Sequence, residues 1–287
     1  MTRSISDENA LFTRTWTGPR DRPPIVLLHA LGGSSAHWLG VAPRLARLGS
    51  VLAVDLAGHG RSSARGGVSL EANRDRLDAL LERIGASVLI GSSFGGGVAA
   101  LQAARRPDSV RALVLTGSML PLVPGPKRRR ALIARRLRQR ATDLASVARA
   151  MRDGRLRRGR MEEFLLRGNL AVPEALDPAV VAKILADPGP DGARRLATTI
   201  AAGLSSLRLV AGGSTLEQVF DAIAAPVLVI HGGRDRTVPA SQAAAVAERR
   251  PDWRVEILAD LGHLPHLEEP DRWCGLVEAW WPLTAPS

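Results

Sequence analysis

The chain has 287 residues, of which 45% are hydrophobic and 23% are charged, and its formal net charge is +11. This composition is typical of a globular protein and is sufficient for one large domain or two small ones. It excludes a transmembrane protein of the helical type, because no apolar run approaches the roughly 18 residues that a membrane-spanning helix needs.

Short, almost continuously apolar runs alternate with helical patterns along much of the chain. Such runs are typical of strands that are buried on both faces of a parallel sheet, and the alternation indicates an α/β fold with right-handed crossovers. The opening residues 11–16 are compatible with an antiparallel edge strand. The predicted strands lie at 24–29, 51–55, 87–90, 110–115, 226–231 and 254–258, and the predicted helices at about 35–47, 69–84, 94–106, 240–249 and 270–281.

One long interval carries no strand pattern. Between Leu115 and Pro226, helical patterns fill more than a hundred residues. Apolar side chains recur there at spacings of three and four from Ile133 to Met151, which predicts an amphipathic helix. We therefore predict a core domain formed by residues 1–118 and 223–287, and a helical cap inserted at residues 119–222.

The positive charge is concentrated in one block of the predicted cap. Residues 127–160 contain fourteen basic and two acidic side chains, a net charge of +12, so the rest of the chain is close to neutral. Three interpretations are open: a solvated face in an arginine-rich chain, a docking surface for an acidic partner, or contact with an anionic membrane or nucleic acid. No aromatic side chains are interleaved with the charge, which disfavours nucleic-acid binding by stacking.

The N-terminal segment and the single cysteine indicate the cellular compartment. The opening segment MTRSISDENALFTR is polar and lacks the apolar segment of a secretory signal. Cys274 is the only cysteine, which excludes an intramolecular disulfide and is typical of a reducing cytosol. We therefore expect a cytoplasmic protein. Cys274 lies in a helical pattern, where a small buried side chain is expected instead of a nucleophile.

The run GSSFG at residues 91–95 follows a predicted strand and precedes a predicted helix. It fits G-x-S-x-G with Ser93 at the centre, whereas Ser92 has no glycine two residues before it. In a strand–turn–helix elbow the central serine projects from the sheet edge, and its neighbours at minus two and plus two must be small. A plain glycine-rich turn is the alternative. A phosphate-binding loop is disfavoured, because the lysine of the G-x-x-x-x-G-K-S/T pattern is missing.

Two further strand ends offer partners for such a serine. Glycines at 32–33 follow the first apolar run, so the backbone N–H of Leu31 can pair with that of Phe94 as an oxyanion hole, with a tight turn as the alternative. Asp235 follows the strand pattern at 226–231 and is a candidate for orienting a histidine, although a surface turn is also typical of Gly-Arg-Asp. Both turns lie at the carboxyl edge, where open α/β sheets place their sites.

A histidine follows the last predicted strand. His263 comes after a glycine and before the C-terminal helical pattern, so it can reach over the sheet edge. A metal site formed by His263 and His266 is the rival interpretation. It lacks a third ligand, and Pro265 disrupts a helical spacing of the pair. We therefore predict no metal and no cofactor.

The order Ser93, Asp235, His263 along the chain is that of nucleophile, acid and base in α/β-hydrolases. The chain resembles the α/β-hydrolase fold family, in the esterase and haloperoxidase-like branch with a helical cap. Ala30 and Ser92 depart from the glycine and from the histidine or asparagine that are common in the family. The motifs that carry the resemblance are HALGGS (29–34), DLAGHGRS (55–62), GSSFGG (91–96), GGRDRTVP (232–239) and GHLPHLEEP (262–270).

The resemblance implies a mostly parallel, eight-stranded sheet with the cap inserted after strand six. It implies that Ser93 is the nucleophile of a serine hydrolase, that His263 is the general base and then the acid, and that Asp235 orients His263. A carboxylic ester with an apolar acyl or alicyclic group is the expected substrate. Candidate substrate-binding residues are Leu31, Phe94, Phe164 and Leu264.

Other uses of the same residues stay open. Carbon–carbon bond hydrolysis, perhydrolysis and thioester hydrolysis need the same triad, and a lyase or a ligand receptor can retain it. The resemblance also implies a protein partner, because pimeloyl-carrier methyl ester esterases of this family use cap arginines to bind an acidic carrier protein. The basic block at 127–160 is the corresponding candidate surface.

Overall fold

The computed structural model of the chain describes residues 10–121, 170–171, 176–187, 198–206 and 214–281. Seven strands of these residues form one sheet in the order β1-β3-β2-β4-β5-β6-β7. The edge strand β1 pairs antiparallel with β3, and every other neighbouring pair is parallel. The strands are β1 (Thr13–Trp16), β2 (Ile25–Leu28), β3 (Val51–Val54), β4 (Ser87–Ser92), β5 (Val110–Thr116), β6 (Val227–Gly232) and β7 (Arg254–Leu258).

The central strands are buried on both faces, as their continuous apolar runs predict. In β2, Ile25 and Leu27 belong to one core cluster, and the alternate residues Val26 and Leu28 belong to the other. All four side chains are fully buried. Burial of an aliphatic side chain of this size contributes roughly 1.5–3 kcal/mol to folding, so the sheet is held by two apolar layers.

Helices cover both faces of the sheet. The predicted helix at 35–47 is instead a 3₁₀ turn at Ser35–Trp38 followed by the short helix α1 (Ala42–Leu45). Pro43 explains the break, because a proline is tolerated only in the first turn of a helix. The other core helices are close to their predicted positions: α2 (Leu70–Ile84), α3 (Phe94–Arg105), α7 (Ala240–Arg249) and α9 (Pro270–Trp280), with α1 (Ala42–Leu45) and α8 (Pro265–Glu268) as single turns.

The described part of the predicted cap contains helices and no strand. Between β5 and β6 lie α4 (Pro178–Ala186), a helix at 198–206 that we call α5, and α6 (Ser214–Asp221), with no strand among the described residues of this interval. The α/β-hydrolase architecture is therefore confirmed. Because seven strands are described instead of eight, the cap follows the fifth of them. The domain boundaries at 118/119 and 222/223 stay a prediction.

One carboxylate joins the described part of the cap to the core. Asp187, which follows α4, accepts hydrogen bonds from Arg14 Nη2 at 2.8 Å and from Ser34 Oγ at 3.1 Å. Arg61 Nη2 lies 3.5 Å from the same carboxylate. The side chain of Asp187 is almost fully buried, so these contacts fix the end of α4 against the loop after β2. None of the described helices is both long and apolar enough to cross a bilayer.

Candidate active site

Ser93 occupies a strained turn between β4 and α3. Its φ of 50° and ψ of −111° make it the only residue other than glycine with a positive φ among those described. The neighbouring glycines are required by space. A Cβ atom at Gly91 would lie 2.5 Å from Gly96 Cα, and one at Gly95 would clash with the carbonyl oxygen of Leu28. The sequence pattern around Ser93 therefore has the steric basis that an elbow requires.

His263 lies between Ser93 and Asp235. Its Nε2 atom is 2.9 Å from Ser93 Oγ, and its Nδ1 atom is 2.7 Å from Asp235 Oδ2. The loop that carries His263 packs tightly on the ends of two strands. A Cβ atom at Gly117 would clash with the carbonyl oxygen of His263, and one at Gly232 would clash with that of Gly262. These two glycines let the histidine reach the serine.

Backbone groups hold the carboxylate of Asp235. The N–H groups of Thr237 and Val238 donate to Oδ1 at 2.7 and 2.8 Å, which leaves Oδ2 for His263. Burial opposes ionisation of Asp235, but the hydrogen bond from His263 and that from Val238 outweigh it and hold the pKa of the carboxyl below its ordinary value. Asp235 is therefore charged at neutral pH.

This geometry defines the hydrogen positions of a neutral His263. A charged Asp235 accepts the proton on Nδ1, so that Nε2 is free to accept a hydrogen bond from the hydroxyl of Ser93. In that tautomer the imidazole can take the serine proton, and the carboxylate stabilises the imidazolium that forms. The three predicted residues thus form one hydrogen-bonded line, with Ser93 partly exposed at its end.

The two backbone donors predicted for an oxyanion hole follow β2 and β4, which are neighbouring parallel strands. Phe94 is the first residue of α3, and Leu31 lies in the loop after β2. Neither N–H donates a hydrogen bond to another group within the part of the chain that the structure describes. Both donors are therefore available to a ligand, and the N-terminus of α3 adds a favourable dipole for negative charge.

A histidine fixes the start of the loop that carries Leu31. His29 Nε2 accepts the N–H of Leu56 at 2.9 Å, so Nδ1 carries the proton, and it lies 2.7 Å from the carbonyl oxygen of Ala30. Asp55 holds the other end of the loop, because its Oδ1 atom accepts the N–H of Ser35 at 2.6 Å. The motifs HALGGS and DLAGHGRS are thereby brought together at the site.

The candidate substrate-binding side chains differ in placement. Leu31 is partly buried, whereas Phe94 and Leu264 are almost fully buried in apolar clusters. Phe164 lies outside the described residues, as does the basic block at 127–160. Of the three candidates that the structure describes, only Leu31 combines a partly exposed side chain with a predicted backbone donor.

Sequence reasoning missed His231. This residue is fully buried near the end of β6, and its Nε2 atom is 2.9 Å from the carbonyl oxygen of Val238 and 3.3 Å from Asp235 Oδ2. Burial lowers the pKa of His231, although the charge of Asp235 opposes this shift. A neutral His231 therefore directs its Nε2–H toward the Asp235 loop. The only signal in the sequence was a histidine that ends an otherwise apolar strand.

His266 and Cys274 make no hydrogen bond to Ser93, His263 or Asp235 within the described residues. His266 is fully buried and stacks on Trp38, with ring centroids 4.3 Å apart. Among the described residues no group of three metal-binding side chains lies together. Cys274 is also buried, and burial raises the pKa of its thiol to about 12, so it is not a nucleophile at neutral pH.

Comparison with known proteins identifies the family of the chain. The family model of the α/β-hydrolase fold matches residues 23–270, which is most of the chain. This chain belongs to the α/β-hydrolase fold family. Its curated relatives include an esterase that is 31% identical over 90% of the chain, and this α/β-hydrolase is an enzyme.

Two relatives and two solved structures illustrate the range of the family. A pimeloyl-(acyl-carrier protein) methyl ester esterase from Aromatoleum aromaticum is 31% identical over 272 residues, which cover 90% of this chain and 98% of the relative. An uncharacterised protein from Mycobacterium tuberculosis is 29% identical over 279 residues, 92% of this chain and 77% of the relative.

The two structures support the fold alone. A thermophilic esterase from Thermogutta terrifontis superposes with a TM-score of 0.70 at 24% identity, covering 96% of this chain and 94% of that one. An enol-lactonase from Burkholderia xenovorans gives a TM-score of 0.69 at 22% identity, covering 95% of this chain and 96% of the other.

Proposed function

We propose that this α/β-hydrolase is a serine-dependent carboxylic-ester hydrolase that works through an acyl-enzyme. The observation that carries the proposal is the hydrogen-bonded line from Ser93 Oγ through His263 to Asp235, with contacts of 2.9 and 2.7 Å. Both distances are within hydrogen-bonding range, and this is the arrangement in which a serine hydroxyl becomes a nucleophile. The strained backbone of Ser93 holds the hydroxyl at the sheet edge.

Acylation follows from these positions. His263 Nε2 takes the hydroxyl proton as Ser93 Oγ attacks the ester carbonyl, and the negative charge develops on the carbonyl oxygen. The N–H groups of Leu31 and Phe94 are the donors for that oxygen, and loss of one such donor typically lowers kcat about 10²- to 10³-fold. The carbon–oxygen bond of the ester then breaks, and His263 gives its proton to the departing alcohol.

Deacylation repeats these steps with water. His263 Nε2 takes a proton from a water molecule, and the oxygen of that water attacks the acyl carbon. The bond to Ser93 Oγ breaks, the serine recovers its proton from His263, and a carboxylic acid leaves. Asp235 stays ionised throughout, in keeping with its lowered pKa, and stabilises the charged imidazolium.

An apolar acyl or alicyclic group is the proposed substrate class. A buried apolar cluster lies where the described part of the cap meets the loops of the site, and it supports this choice. It contains Ala30, next to the proposed oxyanion donor, and Leu264, next to His263. On the cap side it contains Leu170, Leu176, Val181 and Ile184.

Hydrolysis of p-nitrophenyl esters of increasing acyl length tests the proposal. We expect activity in the wild type, and removal of the nucleophile in Ser93→Ala should lower kcat about 10⁶-fold, as it does in serine proteases. Ser92→Ala is a matched control, because its hydroxyl is buried without a partner in the described residues. Equal activity of the two variants would contradict the assignment. A wild type without activity on any ester would favour the lyase or receptor alternatives.

A carrier-protein ester is the second candidate substrate. Two observations favour it: the 31% identity to a carrier-protein methyl ester esterase over 90% of the chain, and the net charge of +12 at residues 127–160. An acidic carrier would then be attracted to the cap and would present its acyl chain to Ser93.

A salt series with matched substrates tests this second candidate. We expect kcat/KM for a carrier-bound ester to fall steeply with ionic strength, while kcat/KM for the same ester on free pantetheine stays constant. Arg135→Glu with Arg136→Glu should reproduce the loss at low salt. Arg111→Glu is the control, because Arg111 is an exposed arginine outside the block. Equal salt dependence of the two substrates would contradict docking on the block.

A further inference from the structure

A buried carboxylate links the loop of His263 to the cap. Glu268 is only 3% exposed, and its two oxygens both lie 3.0 Å from the backbone N of Gly262, the residue before His263. Its Oε2 atom also accepts the N–H of Ala171 in the cap, at 2.8 Å. Residues 171 and 268 are far apart in the chain, so one side chain bridges two separate segments.

The carboxylate is held by backbone groups alone. Within the described residues no lysine, arginine or histidine lies within ion-pairing distance of Glu268. A buried carboxylate is costly unless hydrogen bonds satisfy it, and bonds from N–H groups to a charged acceptor are roughly twice as strong as neutral ones. Displacement of either N–H would leave Glu268 under-satisfied, so the two segments are tied to each other through it.

Apolar packing reinforces the same link. Leu264, next to His263, belongs to the buried cluster that also contains Leu170, the neighbour of Ala171. Leu267, next to Glu268, lies in this cluster as well. The hydrogen bonds and the apolar contacts thus join the same two segments, with His263 at one end of the contact.

We infer that Glu268 is a positioning residue that sets the location of His263 relative to Ser93 by tying its loop to the cap at Ala171. The catalytic part of this inference rests on the proposed function, whereas the tie between Gly262 and Ala171 does not. Because His263 Nε2 must stay within hydrogen-bonding range of Ser93 Oγ, release of Gly262 lowers the rate of proton transfer.

Amide hydrogen exchange combined with ester kinetics tests the inference on the full chain. Glu268→Gln keeps the shape of the side chain but replaces one acceptor by an NH₂ donor, which faces an N–H group. We expect exchange at Gly262 and Ala171 to rise at least tenfold, with exchange in β4 unchanged. We also expect kcat on a p-nitrophenyl ester to fall about tenfold with KM unchanged. A smaller folded fraction would lower the apparent kcat in the same way, but it would also raise exchange in β4, so unchanged exchange in β4 separates the two causes.

Two variants complete the design. Glu269→Gln is the matched control, because Glu269 is exposed and adjacent, and it should leave exchange and kcat unchanged. Glu268→Asp keeps the charge but shortens the side chain, so we expect it to keep the hydrogen bond to only one of Gly262 and Ala171. This variant is used in place of Glu268→Gln if the latter does not fold.

The outcomes separate the two proposals. Unchanged exchange at Ala171, or an unchanged kcat despite faster exchange, would overturn the role of Glu268. A wild type that hydrolyses no ester would overturn the proposed function instead, and exchange at Gly262 and Ala171 would still decide whether Glu268 ties the two segments.

Discussion

His263 Nδ1 lies 2.7 Å from Asp235 Oδ2, although the two residues belong to loops that follow different strands. The other oxygen of Asp235 is held by two backbone N–H groups, at 2.7 and 2.8 Å. The aspartate therefore has one oxygen fixed by the protein and one directed at the imidazole. This division makes Asp235 a rigid acceptor for the proton on Nδ1.

Replacement of this acceptor tests its role. Asp235→Asn removes the negative charge and lets the amide disturb the tautomer of His263, so we expect kcat to fall about 10⁴-fold, as in serine proteases. The fold should persist, because the amide oxygen can still accept the two backbone bonds. Steady-state kinetics on a p-nitrophenyl ester measure the effect. Asp260→Asn is the control, because Asp260 is an exposed carboxylate in the loop after β7. Near-normal turnover of Asp235→Asn would show that another carboxylate orients His263.

His231 is expected to help hold Asp235 in place through its Nε2–H group. His231→Phe removes the Nε2–H that faces Val238 and Asp235, and loss of one such hydrogen bond, worth about 1 kcal/mol, should lower kcat about fivefold. His231→Gln restores an N–H near the same position and should recover most of the rate. KM should be unchanged in both. Equal kcat values in the two variants, with only their thermal stability changed, would indicate a purely structural residue.

Gly117 is expected to be irreplaceable. It has a φ of +49°, and a Cβ atom there would clash with the carbonyl oxygen of His263. Gly117→Ala should therefore displace the histidine loop, lower kcat, and destabilise the fold by more than about 1 kcal/mol. A Cβ at Gly275, inside α9, meets no atom, so Gly275→Ala should instead stabilise by about 0.5–1 kcal/mol. Kinetics and urea unfolding test whether Gly117→Ala lowers kcat and stability and whether Gly275→Ala raises stability. An active and stable Gly117→Ala would contradict the close packing of Gly117 on His263.

Buried histidines should make stability depend on pH. Burial lowers the pKa of His266 well below its ordinary 6.5, and that of His231 is lowered for the same reason. Below pH 6.5 the unfolded chain then binds more protons than the folded one. The free energy of unfolding therefore decreases as the pH is lowered, by up to about 1.4 kcal/mol per pH unit for each histidine. From about one pH unit above 6.5, both states are essentially unprotonated and the contribution vanishes.

His266→Phe isolates one of these contributions. The phenyl ring can keep the stacking on Trp38, but it does not titrate. Urea unfolding between pH 7.5 and 5 should show a shallower pH dependence for His266→Phe than for the wild type, and the two slopes should converge toward pH 7.5. Parallel curves over the whole range would show that folding does not lower the pKa of His266.

Much of the core was predictable because its signals are local. Four apolar residues in a row, as in β2, predict a strand that is buried on both faces of a parallel sheet. The glycines two residues away on each side distinguish Ser93 from Ser92. Asp235 and His263 were found because each follows a strand. Since all these strands are parallel, their carboxyl ends meet at one edge of the sheet, and the structure brings the three residues together there.

The remaining features depend on contacts that no local pattern encodes. His231 ends an apolar strand and differs from a core residue only through its distance to Asp235. Glu268 was part of a recognised motif, but its bond to Ala171 joins segments that are 97 residues apart. The break between the 3₁₀ turn at Ser35–Trp38 and α1 was visible in Pro43, yet the apolar periodicity across it favoured one helix.

The central claim is that Ser93 is a nucleophile activated by His263, and covalent labelling tests it most directly. A fluorophosphonate probe reacts with an activated serine, and peptide mass spectrometry locates the adduct. We expect one adduct per chain on Ser93, none in Ser93→Ala, undiminished labelling in Ser92→Ala, and much slower labelling in His263→Ala. An unlabelled wild type, or an adduct that persists in Ser93→Ala, would contradict the account.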